Sequence, residues 1–271
     1  MSRSRIVALL ICLAVSSSAA AAAALDIVVW APGYPGSTEQ AQPTMDAFGQ
    51  ALAGAAGAPL PPRVTYYKSL EEGRAAVEGS ARLVMVPTAV WAAFGKELSL
   101  TPLVQVQRGD SGERWSLVAA RGKVSEAGDL AGMTLSSQIG YAPEFVRGPV
   151  LSAWGALPDS TTVAFESRIR SALRRASKGE PEAVLIDSEQ RAALGSLRFA
   201  AELEVVATSP SLPLTLVCIV GDPSDSALPV GVQSLRQALL EMHHTNPEVL
   251  ESLRVDRFVP VDADALEALR R

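Results

Sequence analysis

Cysteine, histidine and aromatic residues are scarce in this chain of 271 residues, which contains two cysteines, two histidines and 5% aromatic residues. Two cysteines cannot make the disulfide framework of a small secreted domain. Adjacent residues such as His243 and His244 point about 100° apart on a helix, so they cannot chelate one metal together and we expect them on the surface. With 48% hydrophobic and 20% charged residues, the chain is neither disordered nor collagenous, and packed cores must stabilise it.

Charge and missing motifs exclude further functional classes. The net charge of −5 argues against a surface for nucleic acid or another polyanion, although a small anion pocket stays open. The chain has no G-x-S-x-G, G-x-x-x-x-G-K-[ST], G-x-G-x-x-G or H-E-x-x-H, which are typical of hydrolases, nucleotide and dinucleotide sites, and zinc enzymes. Cys218 lies in an apolar stretch and is expected to be a small buried hydrophobe, not a nucleophile. We therefore expect no catalytic residues, no cofactor and no metal.

The first 24 residues have the pattern of an export signal. Two arginines precede the apolar residues 6–15, and residues 16–24 are all small. This predicts a secretory signal peptide over residues 1–24, which is cleaved before Leu25 to give a periplasmic protein. The apolar stretch is shorter than the roughly 20 residues that span a membrane, so we expect no stable membrane insertion after cleavage; an uncleaved anchor is the alternative.

Short apolar strands alternate with helices along the rest of the chain. We predict strands at residues 26–30, 63–67 and 82–86, with helices from about 37 to 54, 69 to 79 and 89 to 94. After a strand at 114–120, a second series has strands at 133–136, 161–165, 183–186, 203–207 and 214–220, with helices at 142–155, 166–179 and 187–193. Three helices end the chain, at 232–244, 247–253 and 262–269. Such strands, apolar almost throughout, indicate a parallel sheet with helices on both faces.

This α/β pattern divides into two halves that the chain joins twice. We predict a first lobe from residues 25–118 and 217–271, and a second lobe from residues 119–216, with crossings near Ala119 and Leu216. Ligands in such folds bind outside the carboxyl ends of the strands, close to helix starts. The loops at residues 33–38, 87–88, 136–141 and 187–188 are therefore the candidate ligand loops, and each contains a hydroxyl residue.

Several stretches of the chain occur in an order that is typical of one family. They are DLAGMTLSSQIGYAPEFVRGPVLSAWG (129–155), KGEPEAVLIDS (178–188), VVATSPSLPLTLV (205–217) and, near the end, LRQALLEM, NPEVLESL and RFVPVDADALEAL. In this order they resemble periplasmic solute-binding proteins of ABC transporters, of the phosphate and phosphonate type. The similarity covers nearly all of the chain after the signal, is strongest from Asp129 to Val217, and rests on the shared order of short motifs.

The resemblance implies the type II periplasmic binding-protein fold, with two Rossmann-like α/β lobes, a central cleft and two crossing strands. It also implies a monomer that captures a small anion or zwitterion for an ABC permease, with a phosphonate-like or phosphate-like ligand. Position by position, it places Ser136, Ser137, Gly140 and Tyr141 in the cleft from the second lobe, Asp187 and Ser188 at the next ligand loop, and Tyr34 and Thr88 in the first lobe.

The chain departs from the family at three positions. Phosphonate binders usually have a Ser-His pair where this chain has Ser167 and Arg168, and their third strand commonly begins with Asp where this chain has Arg82. Glu182 replaces a family Asp. Arg168 could replace the histidine as an anion donor, because guanidinium binds oxyanions in a bidentate way; alternatively it is an exposed helix residue.

Other candidates also have two interpretations. Ser136, Ser137 and Tyr141 either contact a ligand or cap and pack the start of a helix, since both roles use the same donors. Asp187 either receives a ligand ammonium or hydroxyl, or caps the following helix. Trp91, at helical spacing from Phe94, is expected in the core rather than in an aromatic pocket wall with Tyr34 and Tyr141.

Three functions remain open at this point. The first is a solute-binding component of an ABC importer. The second is a sensor or partner-binding protein on the same fold without a transport role, and the departures from the family keep it open. The third is an enzyme on this fold, against which the export signal argues, because such enzymes work in the cytoplasm.

Overall fold

Two β-sheets, each covered by helices, form the two lobes of the protein. The computed structural model describes residues 25–59, 61–109, 112–224, 228 and 230–269, so the signal peptide predicted over residues 1–24 lies outside the described part. The strands are β1 (Asp26–Trp30), β2 (Arg63–Tyr67), β3 (Leu83–Pro87), β4 (Leu100–Gln107), β5 (Ser116–Ala120), β6 (Thr134–Ser137), β7 (Thr162–Phe165), β8 (Glu182–Ile186), β9 (Leu203–Thr208), β10 (Thr215–Val220) and β11 (Arg257–Val259). The α-helices are α1 (Thr38–Ala56), α2 (Leu70–Gly79), α3 (Thr88–Phe94), α4 (Pro143–Phe145), α5 (Ile169–Ser177), α6 (Ser188–Leu194), α7 (Val232–Thr245), α8 (Pro247–Ser252) and α9 (Ala263–Ala268).

Both sheets are mixed rather than parallel throughout. The first has the order β11-β4-β10-β3-β1-β2 and the second the order β7-β6-β8-β5-β9. The predicted parallel pairing is present among β1, β2 and β3 and among β6, β7 and β8. However, β10 runs antiparallel to β3, and β5 runs antiparallel to β8, because each of these strands begins where the chain has just arrived from the other lobe.

The chain passes between the sheets earlier than predicted. β4 ends at Gln107 in the first sheet and β5 begins at Ser116 in the second, while β9 ends at Thr208 and β10 begins at Thr215. The predicted crossings near Ala119 and Leu216 therefore fall inside β5 and β10. A bridge between Glu113 and Leu212 joins the two passages. We call residues 25–107 and 215–269 lobe 1 and residues 116–208 lobe 2.

The helix predicted over residues 142–155 is much shorter. Its α-helical part is the single turn α4, followed by a π-helical turn at Val146–Val150. Pro149 has no N–H to donate and its ring would clash in a regular helix, so the backbone widens, and the N–H of Leu151 donates to the carbonyl of Val146 over 3.1 Å.

The largest apolar cluster is shared by the two lobes. It contains Trp30 and Val86 of lobe 1 together with Leu117, Leu135 and Leu185 of lobe 2. Trp91 and Cys218 are buried as predicted, at 3% and 0% exposure. Within the described residues, no helix combines the length and apolar character of a membrane span, and no cluster of three His, Cys, Asp or Glu side chains could hold a metal ion.

Candidate functional site

A cavity of about 150 Å³ lies between the lobes beside the two crossings. It is bounded by the carboxyl ends of β1 and β3, by the start of α6 and by the start of β10, which is where ligands bind in this type of fold. We call it the central cavity; its lining residues are Val29, Trp30, Ala31, Tyr34, Met85, Pro87, Arg108, Glu113, Asp187, Glu189, Leu214 and Thr215.

Asp187 faces the central cavity and also caps a helix. Its side chain accepts the N–H of Gln190 at 2.7 Å, and its own N–H donates to the Gln190 side chain at 3.2 Å, which together form a capping box at the start of α6. The residue is only 6% exposed. Burial, together with the negative charges of Glu113 and Glu189, raises the pKa of the Asp187 carboxyl to about 6. The two sequence interpretations of Asp187 are thus compatible.

Glu113 is a second carboxylate of the central cavity, and the sequence did not point to it. It lies on the first crossing and is 9% exposed. Its Oε1 accepts the N–H of Ser188 at 2.9 Å, the hydroxyl of Ser188 and the N–H of Arg114 at 3.0 Å. Ser188, a predicted ligand residue, therefore holds Glu113 in place, and one oxygen of that carboxylate makes all three bonds.

Two tyrosines belong to this region: Tyr34 lines the central cavity, and Tyr141 lies near Tyr34. Burial, with the negative charges of Asp187 and Glu113, raises the pKa of Tyr34. Burial also raises the pKa of Tyr141, with Tyr34 as a further cause. Both phenols are therefore protonated donors. The Tyr141 hydroxyl is buried and has no hydrogen-bond partner among the described residues.

The one cation that lines the central cavity, among the described residues, already has partners. Arg108 donates to a carboxylate oxygen of Glu189 at 2.9 Å and to the carbonyl of Arg254 at 2.7 Å. The lining of the central cavity thus contains three carboxylates, those of Glu113, Asp187 and Glu189, and one guanidinium. This excess of negative charge favours a positively charged group inside the central cavity.

The remaining predicted residues of lobe 1 and lobe 2 have partners within the protein. Thr88 is 2% exposed and donates to the carbonyl of Pro213 at 2.7 Å. Ser136 donates to Glu182 at 2.6 Å, and Ser137 donates to the carbonyl of Leu185 at 3.0 Å. These three hydroxyls serve the packing of the lobes in this arrangement, and the structure does not bring Ser136 or Ser137 to the central cavity.

Gly140 is required by packing, and Arg168 lies outside the central cavity. A Cβ at Gly140 would lie 2.1 Å from the carbonyl oxygen of Ala164, so only glycine fits. The Arg168 side chain is 81% exposed, and its nearest carboxylate, on Glu166, is 3.9 Å away. Glu182, which stands where the family has Asp, is buried and paired with Arg175 at 2.6 Å.

A glutamine that the sequence did not single out joins the two lobes. Gln138 of lobe 2 donates to the carbonyl of Gly33 in lobe 1 at 2.7 Å and accepts from Gln190 at 2.6 Å. Gly33 has a φ of +79°, and a Cβ there would lie 3.0 Å from the ring of Phe165. The loop after β1 therefore contacts lobe 2 closely because it has glycine at this position.

Comparisons with known proteins were made at the levels of sequence and structure. No protein-family model matches the chain, and no curated protein has a similar sequence at a significant level. Among solved structures, XAC2383 from Xanthomonas citri, bound to ATP, is similar with a TM-score of 0.67 and 14% identity over 91% of this chain and 95% of that one. PhnD1 from Prochlorococcus marinus, in complex with methylphosphonate, has a TM-score of 0.60 and 14% identity over 90% and 94%.

A third similar structure is a binding protein component of an ABC phosphonate transporter from Pseudomonas aeruginosa. Its TM-score is 0.61, with 14% identity over 91% of this chain and 84% of that one. At these identities the similarity shows the fold and not the ligand. It confirms the fold that the sequence motifs implied.

Proposed function

We propose, on the premise that this chain has the type II periplasmic binding-protein fold, that it is an exported solute-binding protein that captures a small amine-bearing molecule between its lobes. In this proposal, residues 1–24 direct export, the mature chain is a periplasmic monomer, and the captured molecule is delivered to an ABC permease. The transport role is supported by similar structures that include an ABC phosphonate transporter component, and it is a role in binding rather than catalysis.

The observation that carries the ligand class is the charge of the central cavity. Glu113 and Asp187 line it and are buried, and the guanidinium of Arg108 is paired with Glu189. An ammonium group would restore the balance by binding both carboxylates, while the Tyr34 hydroxyl could donate to a polar atom of the same molecule. A bare oxyanion would meet two carboxylates and no free cation here.

The sequence motifs implied an anion or a zwitterion of the phosphonate or phosphate type, and the amine proposal keeps the zwitterion and replaces the simple anion. The amino group of a zwitterion would bind Glu113 and Asp187, and its anionic group would accept from the Tyr34 hydroxyl. The volume of about 150 Å³ equals that of about five water molecules, so the occupant in this closed arrangement is small.

The lobes themselves would provide capture and release. The contact between Gln138 and Gly33 at 2.7 Å joins the lobes directly, and Arg108, on the first crossing, joins them by its bonds to Glu189 of lobe 2 at 2.9 Å and to the carbonyl of Arg254 of lobe 1 at 2.7 Å. Breaking them would open the central cavity to solvent through bending at the two crossings. A ligand that bridges Asp187 of lobe 2 and Tyr34 of lobe 1 would bias the molecule toward closure.

A ligand panel that separates the two head groups tests this proposal. The purified protein from Leu25 onward is screened by thermal shift against 2-aminoethylphosphonate, ethylphosphonate, ethanolamine and phosphate. A ligand present at 100 times its Kd should stabilise the fold by about 2.7 kcal/mol. We expect shifts with the two amines and none with ethylphosphonate or phosphate.

Variants identify the site of binding in the same panel. Asp187→Asn should remove the shift, while Asp159→Asn, at an exposed loop position, should keep it. A selective response to phosphonates without an amine would contradict the amine proposal and leave solute binding intact. Silence across this and a broader panel of small solutes would contradict solute binding itself.

One observation favours a second function, in which the protein is a sensor or partner-binding protein without a transport role. The lobes share an apolar cluster, and Phe94 of lobe 1 stacks on Tyr141 of lobe 2 at 6.3 Å between ring centroids. Such contacts would hold the lobes closed without a ligand. Small-angle scattering tests this observation: a radius of gyration that decreases on adding the amine supports ligand-driven closure, and an unchanged value supports a partner-binding protein whose lobes stay closed without a ligand.

A further inference from the structure

A groove of about 510 Å³ lies on the outer side of the lobe interface, apart from the central cavity. Its walls come from the loop after β1 in lobe 1 and from α5 and α6 in lobe 2. The apolar part consists of Gly33, Pro35, Ile169, Leu173, Ala193 and Leu197. Small-molecule sites have this size and are similarly apolar with a few polar groups.

An unusual apolar side chain borders the groove. Phe165 is the one large hydrophobic residue among the described residues that is strongly exposed, at 42%. Its ring lies against Gly33, close to Gln138, and both of these residues line the groove. The apolar surface that a bound molecule could cover is thus larger than the walls alone.

The charged residues of the groove are all basic. Arg168 and Arg170 line it, and among the described lining residues there is no carboxylate. Arg170 makes no ion pair within the described part of the chain, and Arg168 has only Glu166 at 3.9 Å. On a protein whose net charge is −5, these two guanidinium groups, of which only Arg168 has a carboxylate nearby, give the groove a local positive charge.

Polar groups that can orient a ligand also line the groove. The side chains of Gln138 and Gln190 reach the groove, although they also bond to each other at 2.6 Å. Ser167 and Ser196 add hydroxyls. The groove is therefore positively charged, whereas the central cavity, with three carboxylates, is negatively charged.

We propose that the groove between α5 and α6 is a second binding site that takes a small amphiphilic anion: a carboxylate or sulfonate head bound by Arg168 and Arg170, and an apolar body bound against Ile169, Leu173 and Leu197. This site does not depend on the proposed function of the central cavity. Because Gly33 and Pro35 belong to lobe 1 and the helices to lobe 2, its occupant contacts both lobes and stabilises their closed arrangement.

Four molecules with the same eight-carbon chain test the site: octanoate, octanesulfonate, octylammonium and octanol, titrated into the mature protein by calorimetry. The two anions should bind saturably, and about tenfold more tightly than the cation and the alcohol, because charge-assisted bonds to guanidinium need an anionic head. Equal binding of all four, or no saturable binding of either anion at millimolar concentrations, would overturn the proposal.

Two pairs of variants assign any binding to this groove. Ala193→Trp should fill the groove and abolish binding, whereas Ala192→Trp, at an exposed neighbouring position outside the lining, should not. Arg170→Glu should weaken octanoate binding about tenfold, while Arg174→Glu, on the same helix but outside the lining, should leave it unchanged. Thermal unfolding checks that each variant is folded. Octanoate binding that survives Ala193→Trp and Arg170→Glu would place the anion elsewhere and contradict the assignment.

Discussion

Replacing Asp187 with asparagine should stabilise the unliganded protein while it removes ligand binding. The carboxyl is 6% exposed, and burial raises its pKa from 3.8 to about 6. The folded protein therefore binds this proton more tightly than the unfolded chain does. The stability from Asp187 is fully present below pH 3.8 and is lost as the pH rises through 6, so ionised Asp187 costs about 3 kcal/mol at pH 8.

Asparagine removes the charge but keeps the cap. Its side-chain oxygen can accept the N–H of Gln190 as the aspartate does at 2.7 Å, since both residues are good N-caps. The lost attraction between a negative charge and the start of α6 costs about 0.5 kcal/mol. We therefore expect Asp187→Asn to raise the free energy of unfolding by about 2 to 3 kcal/mol at pH 8.

Denaturant unfolding from pH 4 to pH 8 measures this difference. The gain should be close to zero near pH 4, grow between pH 4 and pH 6, and be constant above about pH 7. Asp159→Asn, at an exposed position, serves as the matched control and should not change stability in this way. A gain that does not vary with pH, or a loss of stability at pH 8, would refute the assignment of a buried carboxylate with a raised pKa to this position.

Three other substitutions test separate parts of the account. Glu113→Gln should weaken binding of the amine about tenfold in calorimetry, because one of two carboxylates is neutralised; unchanged affinity would remove Glu113 from the site. Gln138→Ala deletes the 2.7 Å bond to Gly33 and should increase the radius of gyration measured at a half-saturating concentration of the amine, and an unchanged radius would show that this bond does not hold the lobes together. Gly140→Ala places a Cβ 2.1 Å from the Ala164 carbonyl oxygen and should lower the free energy of unfolding by about 3 kcal/mol, whereas wild-type stability would contradict this packing.

The parts of the fold that carry a local pattern could be predicted from the sequence. β1, β8 and β10 are short apolar runs bounded by loop residues, and the three C-terminal helices have helical periodicity; all are present close to the predicted bounds. β4 could not be predicted in this way. It contains Pro102 and has polar residues within it, and it is a strand because it pairs with β10 and β11, which lie more than a hundred residues away.

The residues that line the central cavity could be predicted from the sequence only where they lie in a loop that follows a predicted strand. Tyr34 and Asp187 follow β1 and β8, and the structure brings both to the central cavity. Glu113 lies on a crossing without periodicity, so no local signal identifies it. Ser136 and Ser137, at the end of β6, do not line the central cavity, because both hydroxyls donate to the neighbouring strand β8, to Glu182 and to the carbonyl of Leu185; this pairing joins residues almost fifty positions apart, so no local pattern predicts it.

The most direct test of the account is the proton balance of ligand binding. The tightest-binding amine without a phosphonate group is titrated calorimetrically at pH 6 and pH 8 in buffers that differ in ionisation enthalpy. Because the pKa of Asp187 is about 6, an ammonium that binds its ionised form should release about half a proton at pH 6 and almost none at pH 8, and Asp187→Asn should release none. Binding without proton release at pH 6, or release that persists in Asp187→Asn, would contradict capture of the amine at this carboxylate.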